Sequence, residues 1–153
     1  MLGKWLRLGP GERRELLRAG LAVPVIRLGL SALPFDTLDR TLEAIASALG
    51  GEDGAAAATV DEAAAVERVR WAVAAVSRRV PGASCLTQAL AARMLLGRKG
   101  IAAEVRIGVR RDEAGRIAGH AWLEGEAGEI LAEGAEGYLT LSRPGDGAEK
   151  ARR

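Results

Sequence analysis

Cysteine and histidine are almost missing from this chain of 153 residues: there is one of each, Cys85 and His120. A single cysteine excludes an internal disulfide, which fits a reducing compartment. The pair also falls short of the usual four-ligand zinc set, so neither a metal nor another cofactor is expected. Aromatic residues are scarce, at 3%, so Leu, Val, Ile and Ala must fill the interior. No charge dominates: 22 Lys and Arg meet 20 Asp and Glu. That balance argues against a nucleic-acid partner, which would draw clustered bases. A long uninterrupted hydrophobic run is missing too. The apolar stretch from Leu16 to Phe35 follows a basic start, as in a signal peptide or anchor, but Arg18 and Arg27 interrupt it and Pro24 and Pro34 punctuate it. A spanning helix needs roughly 20 mostly apolar residues, and an arginine inside one is expensive. We expect a buried or partner-facing helical hairpin in a cytoplasmic protein, with contact at a membrane surface as the alternative.

What is present is enough for one domain with a modest core: 48% of residues are apolar. Glu12 to Ala22 reads as helix, with Leu16, Leu17, Leu21 and Val23 in its apolar stripe. Pro24 is expected to bend or end it, with a second segment from Val25 to Leu33. Asp36 is a candidate N-cap for a third helix to Leu49. The glycine- and alanine-rich stretch around 50–58 is a loop or hinge. It separates a helical region, 1–50, from a core, 59–142, and a polar tail follows at 143–153; all three are expected in one compact unit. Thr59 and Glu62 match a capping box. The helix behind them carries Val66, Val69, Val73, Val76 and Val80 on one face, with Trp71 to the side.

Ser84 is placed to cap a helix that opens on Cys85 and ends near Gly97. The period then changes. Ala103, Val105, Ile107 and Val109 alternate with Glu104, Arg106, Gly108 and Arg110, which is a strand. Ile117 to Glu124 and Glu129 to Glu133 are a second and third strand, and Tyr138, Leu139 and Leu141 a short fourth. Helices followed by an antiparallel meander make an α+β fold, with the Cys85 helix packed on the sheet that carries His120.

A helix start is a good place for a nucleophilic thiol, because unpaired amides and the helix dipole favour negative charge there. The same amides can hold an oxyanion. His120 is the only imidazole that can act as base. A carboxylate should orient its ring. Glu133 is first choice, because the Gly125–Gly128 turn folds its strand back beside His120; Glu129 is the fallback, and Glu124 shares the face of His120 but sits on the same strand. Each residue also has a plain structural role: Cys85 as a small buried side chain, His120 as a satisfied strand residue, Glu133 as a solvated strand end, Trp122 as core, Gln88 as a solvated helix face. The candidates are therefore an acyl-transferring or hydrolytic thiol enzyme and a non-catalytic binding module.

Three stretches narrow this. They are Gly11-Glu12-Arg13-Arg14-Glu15-Leu16-Leu17 with the following run to Leu33-Pro34-Phe35; Pro81 to Leu86 through Leu95 to Ile101; and Arg106-Ile107-Gly108-Val109 with Gly119-His120-Ala121-Trp122-Leu123-Glu124. In these the chain resembles the lasso-peptide leader peptidases, in their free-standing form, within the transglutaminase-like cysteine protease superfamily. The resemblance implies a transglutaminase-like, papain-like core and hydrolysis of one peptide bond between leader and core of a precursor peptide. It implies a separate leader-recognition protein and a lasso cyclase as partners, and recognition of a Thr just before the last leader residue. It implies a Cys-His-Asp set, of which Cys85 and His120 match the first two. The Asp position falls near Glu133, a departure from the pattern. The N-terminal apolar helices are a candidate docking surface for the recognition protein.

Overall fold

The computed structural model describes residues 8–50, 61–126, 128–131 and 135–141. Helices α1 (Pro10–Ala32), α2 (Phe35–Leu49), α3 (Glu62–Ser77) and α4 (Cys85–Gly97) precede strands β1 (Ala103–Arg111), β2 (Ile117–Gly125), β3 (Gly128–Glu129) and β4 (Leu139–Leu141). The expected α+β class is what the chain adopts. One core joins the layers: Ala19, Val23 and Ile26 of α1, Leu42 of α2, Val69 and Val73 of α3, Leu90 and Leu96 of α4, and Leu123 of β2.

Helix α1 corrects the expected break at Pro24, because it runs on through the proline. Proline removes the bond to the Gly20 carbonyl and costs about 3 kcal/mol. Val23 and Ile26 beside it are fully buried, and each such side chain gains about 1.5–3 kcal/mol. Burial therefore offsets the break, and Gly20 faces solvent, where water can take its carbonyl. The buried face is also not the expected stripe. Ala19, Ala22, Val23 and Ile26 turn inward, while Leu17, Leu21, Val25 and Leu28 stand exposed along the outer side. Glu15 is buried on α1 and is held by Lys99 Nζ at 2.5 Å and Arg18 Nη1 at 3.3 Å. Among the described residues no helix is long and apolar enough to cross a membrane.

Two caps differ from expectation. Pro34, not Asp36, is the N-cap of α2; Asp36 lies in its first turn. Asp61 caps α3, its carboxylate accepting from the Ala63 amide at 3.1 Å, and Thr59 lies outside the described residues.

The sheet order is β3-β2-β1-β4, antiparallel throughout. β4 thus returns to the far edge of β1 rather than continuing the meander beside β3. The third strand is shorter than expected, two residues, followed by an Ile130 amide bond to the Leu123 carbonyl at 2.8 Å. Tyr138 precedes β4 instead of opening it.

Asp112 sets the β1–β2 register. Its Oδ1 accepts from the amides of Ala114 and Arg116, both at 2.9 Å, and its own amide donates to the Arg116 carbonyl. The Arg116 amide, then the Arg116 side chain, hold the Asp112 carboxyl below its ordinary value of 3.8. A lowered folded value means that the carboxylate adds stability above the unfolded value and loses it as pH falls through the folded one. Hydrogen exchange at the Ala114 and Arg116 amides is therefore expected to lose protection selectively as the pH drops below 3.8. Equal loss across the sheet would contradict a local role.

Candidate active site

Local chemistry puts Cys85 at the first position of α4. In Val80-Pro81-Gly82-Ala83 the Ala83 amide donates to the Val80 carbonyl at 3.2 Å, and Gly82 has φ +73°. Proline second and a left-handed glycine third are the requirements of a type II turn. A Cβ at Gly82 would stand 2.8 Å from Arg27 Nε, so α1 lies against this turn. Ser84 then caps the helix, as expected. Its Oγ accepts from the Thr87 amide at 3.3 Å, and Thr87 Oγ1 accepts from the Ser84 amide at 3.3 Å. Thr87 is fully buried, so this reciprocal pair satisfies a hydroxyl that would otherwise be orphaned. Thr87 was not singled out in the sequence, although Ser-x-x-Thr spacing was the available signal.

The cap uses the Thr87 amide, and the Gln88 amide donates to the Ser84 carbonyl. The amides of Cys85 and Leu86 take no partner among the described residues. Two free donors and the positive end of the helix dipole thus surround a half-buried free thiol. Chemically, these amides can hold the oxyanion formed when the sulfur attacks a carbonyl.

His120 lies on β2, against which α4 packs. Alternation divides that strand. Ala121 and Leu123 are buried toward the helices, with Leu123 in the shared core. His120, Trp122 and Glu124 take the other face. There the His120 ring stacks on Trp122, with centroids 6.2 Å apart and 19° between planes, and meets Tyr138 at 5.3 Å and 41°. Its Nε2 is buried without a hydrogen-bond partner among the described residues. No hydrogen bond joins His120 to Cys85 there either. The two thus lie on packed elements, but the His120 ring takes the sheet face opposite α4 and the structure does not bring it to the Cys85 thiol.

The candidate acids separate clearly. Glu124 accepts from Arg106 Nε at 2.6 Å and is engaged away from the imidazole. Glu129 pairs opposite Glu124 and is exposed. Glu133 lies outside the described residues. Gln88 is half-buried, and Trp122, though buried, belongs to the sheet face opposite the shared core. Among the described residues no cluster of three or more His, Cys, Asp or Glu is arranged to hold a metal.

A family model described as the transglutaminase-like superfamily matches residues 29–143. That span takes in α2 to β4 and the end of α1. No curated protein and no solved structure matches the chain.

Proposed function

The chain belongs to the transglutaminase-like superfamily, which includes cysteine peptidases and acyl transferases, and on that premise we propose that it is a cysteine peptidase that removes the leader from a lasso peptide precursor. The observation that carries this is the position of Cys85: the first residue of a helix, beside two unpaired amides, on an element packed against the strand of the only histidine.

The Cys85 thiol gives its proton to His120, and the sulfur attacks the carbonyl carbon of the leader–core bond. The Cys85 and Leu86 amides receive the oxyanion. On collapse the C–N bond breaks, and His120 returns the proton to the departing core amine. The leader is then held as a thioester. Water attacks it, His120 takes the water proton, and thiol and leader carboxylate are released.

The pairing requires the His120 ring to reach the Cys85 end of α4 from the sheet face opposite that helix. β3 accompanies β2 only near Glu124 and Gly125, so no described strand borders that edge at His120. Glu133, near the position of the Asp in the leader peptidases the chain resembles, is the acid proposed to orient the imidazole. Glutamate in place of aspartate adds one methylene of reach. A separate leader-recognition protein and a lasso cyclase are the partners this function requires, and the exposed apolar side of α1 offers one of them a surface.

Mass spectrometry after incubating the chain with precursor and leader-recognition protein tests the reaction. Hydrolysis leaves a free leader carboxylate and a free core amine, and this is the expected result. A new amide on the leader would mean acyl transfer. Intact precursor that co-elutes with the chain would mean a binding module.

A further inference from the structure

We propose that Tyr138 is a positioning residue for His120, that Arg110 anchors it, and that Gly108 is the gap that lets it reach the imidazole. The role given to His120 rests on the peptidase function above; the geometry does not.

Gly108 is paired directly with His120 in the β1–β2 register and is buried. A glycine inside an alternating strand weakens the strand unless something occupies the space it leaves. Here the occupants are explicit. A Cβ at 108 would stand 2.9 Å from two atoms of the Trp122 ring and 3.0 Å from Tyr138 Cβ. Both rings that touch His120 thus crowd over the one residue without a side chain. Tyr138 is held by a second residue of β1 as well: the Arg110 guanidinium lies 4.7 Å from its ring centroid, a cation–π contact. Tyr138 is the only tyrosine in the chain, and it sits on the short approach to β4, which pairs with β1 at Gly108 and Val109. β4 therefore delivers Tyr138 to this spot.

The imidazole needs that support. Its Nε2 is buried and unpaired, so no hydrogen bond at that atom fixes the ring plane among the described residues. A general base must meet its proton donor within hydrogen-bond reach, and a misplacement of about 1 Å can lower the rate by about 10²-fold. Two aromatic rings in contact restrict the ring plane where hydrogen bonds do not.

A single histidine makes the test direct, because its ring protons give isolated NMR signals. In the wild type, ring currents from Tyr138 and Trp122 displace these signals. Tyr138→Leu should move them toward the values of a free imidazole, while Tyr138→Phe should leave them displaced. Gly108→Ala should move them too, through the Tyr138 and Trp122 rings. On precursor cleavage, Tyr138→Leu should lower kcat about tenfold with KM little changed, and Tyr138→Phe should restore it. Unmoved ring signals in a folded Tyr138→Leu variant would overturn the proposal, as would equal kcat losses for Phe and Leu. If the wild type cleaves nothing, the peptidase function fails, and the ring signals alone decide whether Tyr138 positions His120.

Discussion

Cys85→Ala is expected to abolish precursor cleavage, by at least about 10³-fold, and to leave the melting temperature essentially unchanged. The two halves of this result have separate causes. The thiol makes no hydrogen bond to a described residue and is only half-buried, so its loss removes no structural contact of weight. Alanine is also at least as good a helix residue. The Ser84–Thr87 cap that opens the helix does not involve the side chain of residue 85. What disappears is the chain's single thiol, set on two free helix amides. Cleavage assayed by mass spectrometry, beside a thermal melt, reads both halves. A variant that still cuts at the wild-type rate would remove Cys85 from the mechanism.

Leu123→Ala should be the most damaging of the simple core truncations in the sheet. Leu123 is fully buried and is the one β2 side chain that joins the shared core. Leu→Ala in such a place costs about 3–5 kcal/mol, the transfer term plus the cavity left behind. For a chain of this size that is roughly a 6–20 °C fall in Tm. Leu21→Ala is the control. Leu21 is 74% exposed, so its truncation should stay within about 0.5 kcal/mol. A larger loss at Leu21 than at Leu123 would mean that α1 packs by its other face.

The contrast between these two leucines shows where the sequence could be read and where it could not. The alternation of β1 was plain, because period two is set by strand geometry alone. The Ser84 cap and the inward Val69 and Val73 of α3 were equally local, though Val80, expected on the same helix, lies past its end at Ser77. The inward face of α1 was not legible. Leu17 and Leu21 are larger and more apolar than Ala19 and Ala22, yet the alanines turn in, because their small side chains let α1 lie close to α3 and α4. Which stripe is buried depends on the partner's shape, and that is absent from a single helix's pattern. The continuity of α1 through Pro24 failed for the same reason: local preference favoured a break, and burial at Val23 and Ile26 outweighed it. β4 was legible as a strand, but its partner was not, since nothing in Leu139-Thr140-Leu141 names β1. At the candidate site, Cys85 and His120 were visible through scarcity. Tyr138, Arg110 and Gly108 were not, because their meeting depends on β4 crossing to the far edge of β1. Gly108 had a signal of its own, a glycine in an otherwise alternating strand.

The Glu15–Lys99 contact joins residues 84 positions apart, and this has a consequence during synthesis. At about 5–20 residues per second, Lys99 is made roughly 4–17 s after Glu15. For most of that interval α1 exists without a complete α3 and without α4, with its core face and its outer leucine side uncovered together. A nascent chain in this state carries apolar helix surface prone to aggregation, and slower translation between α1 and α4 would lengthen the exposure.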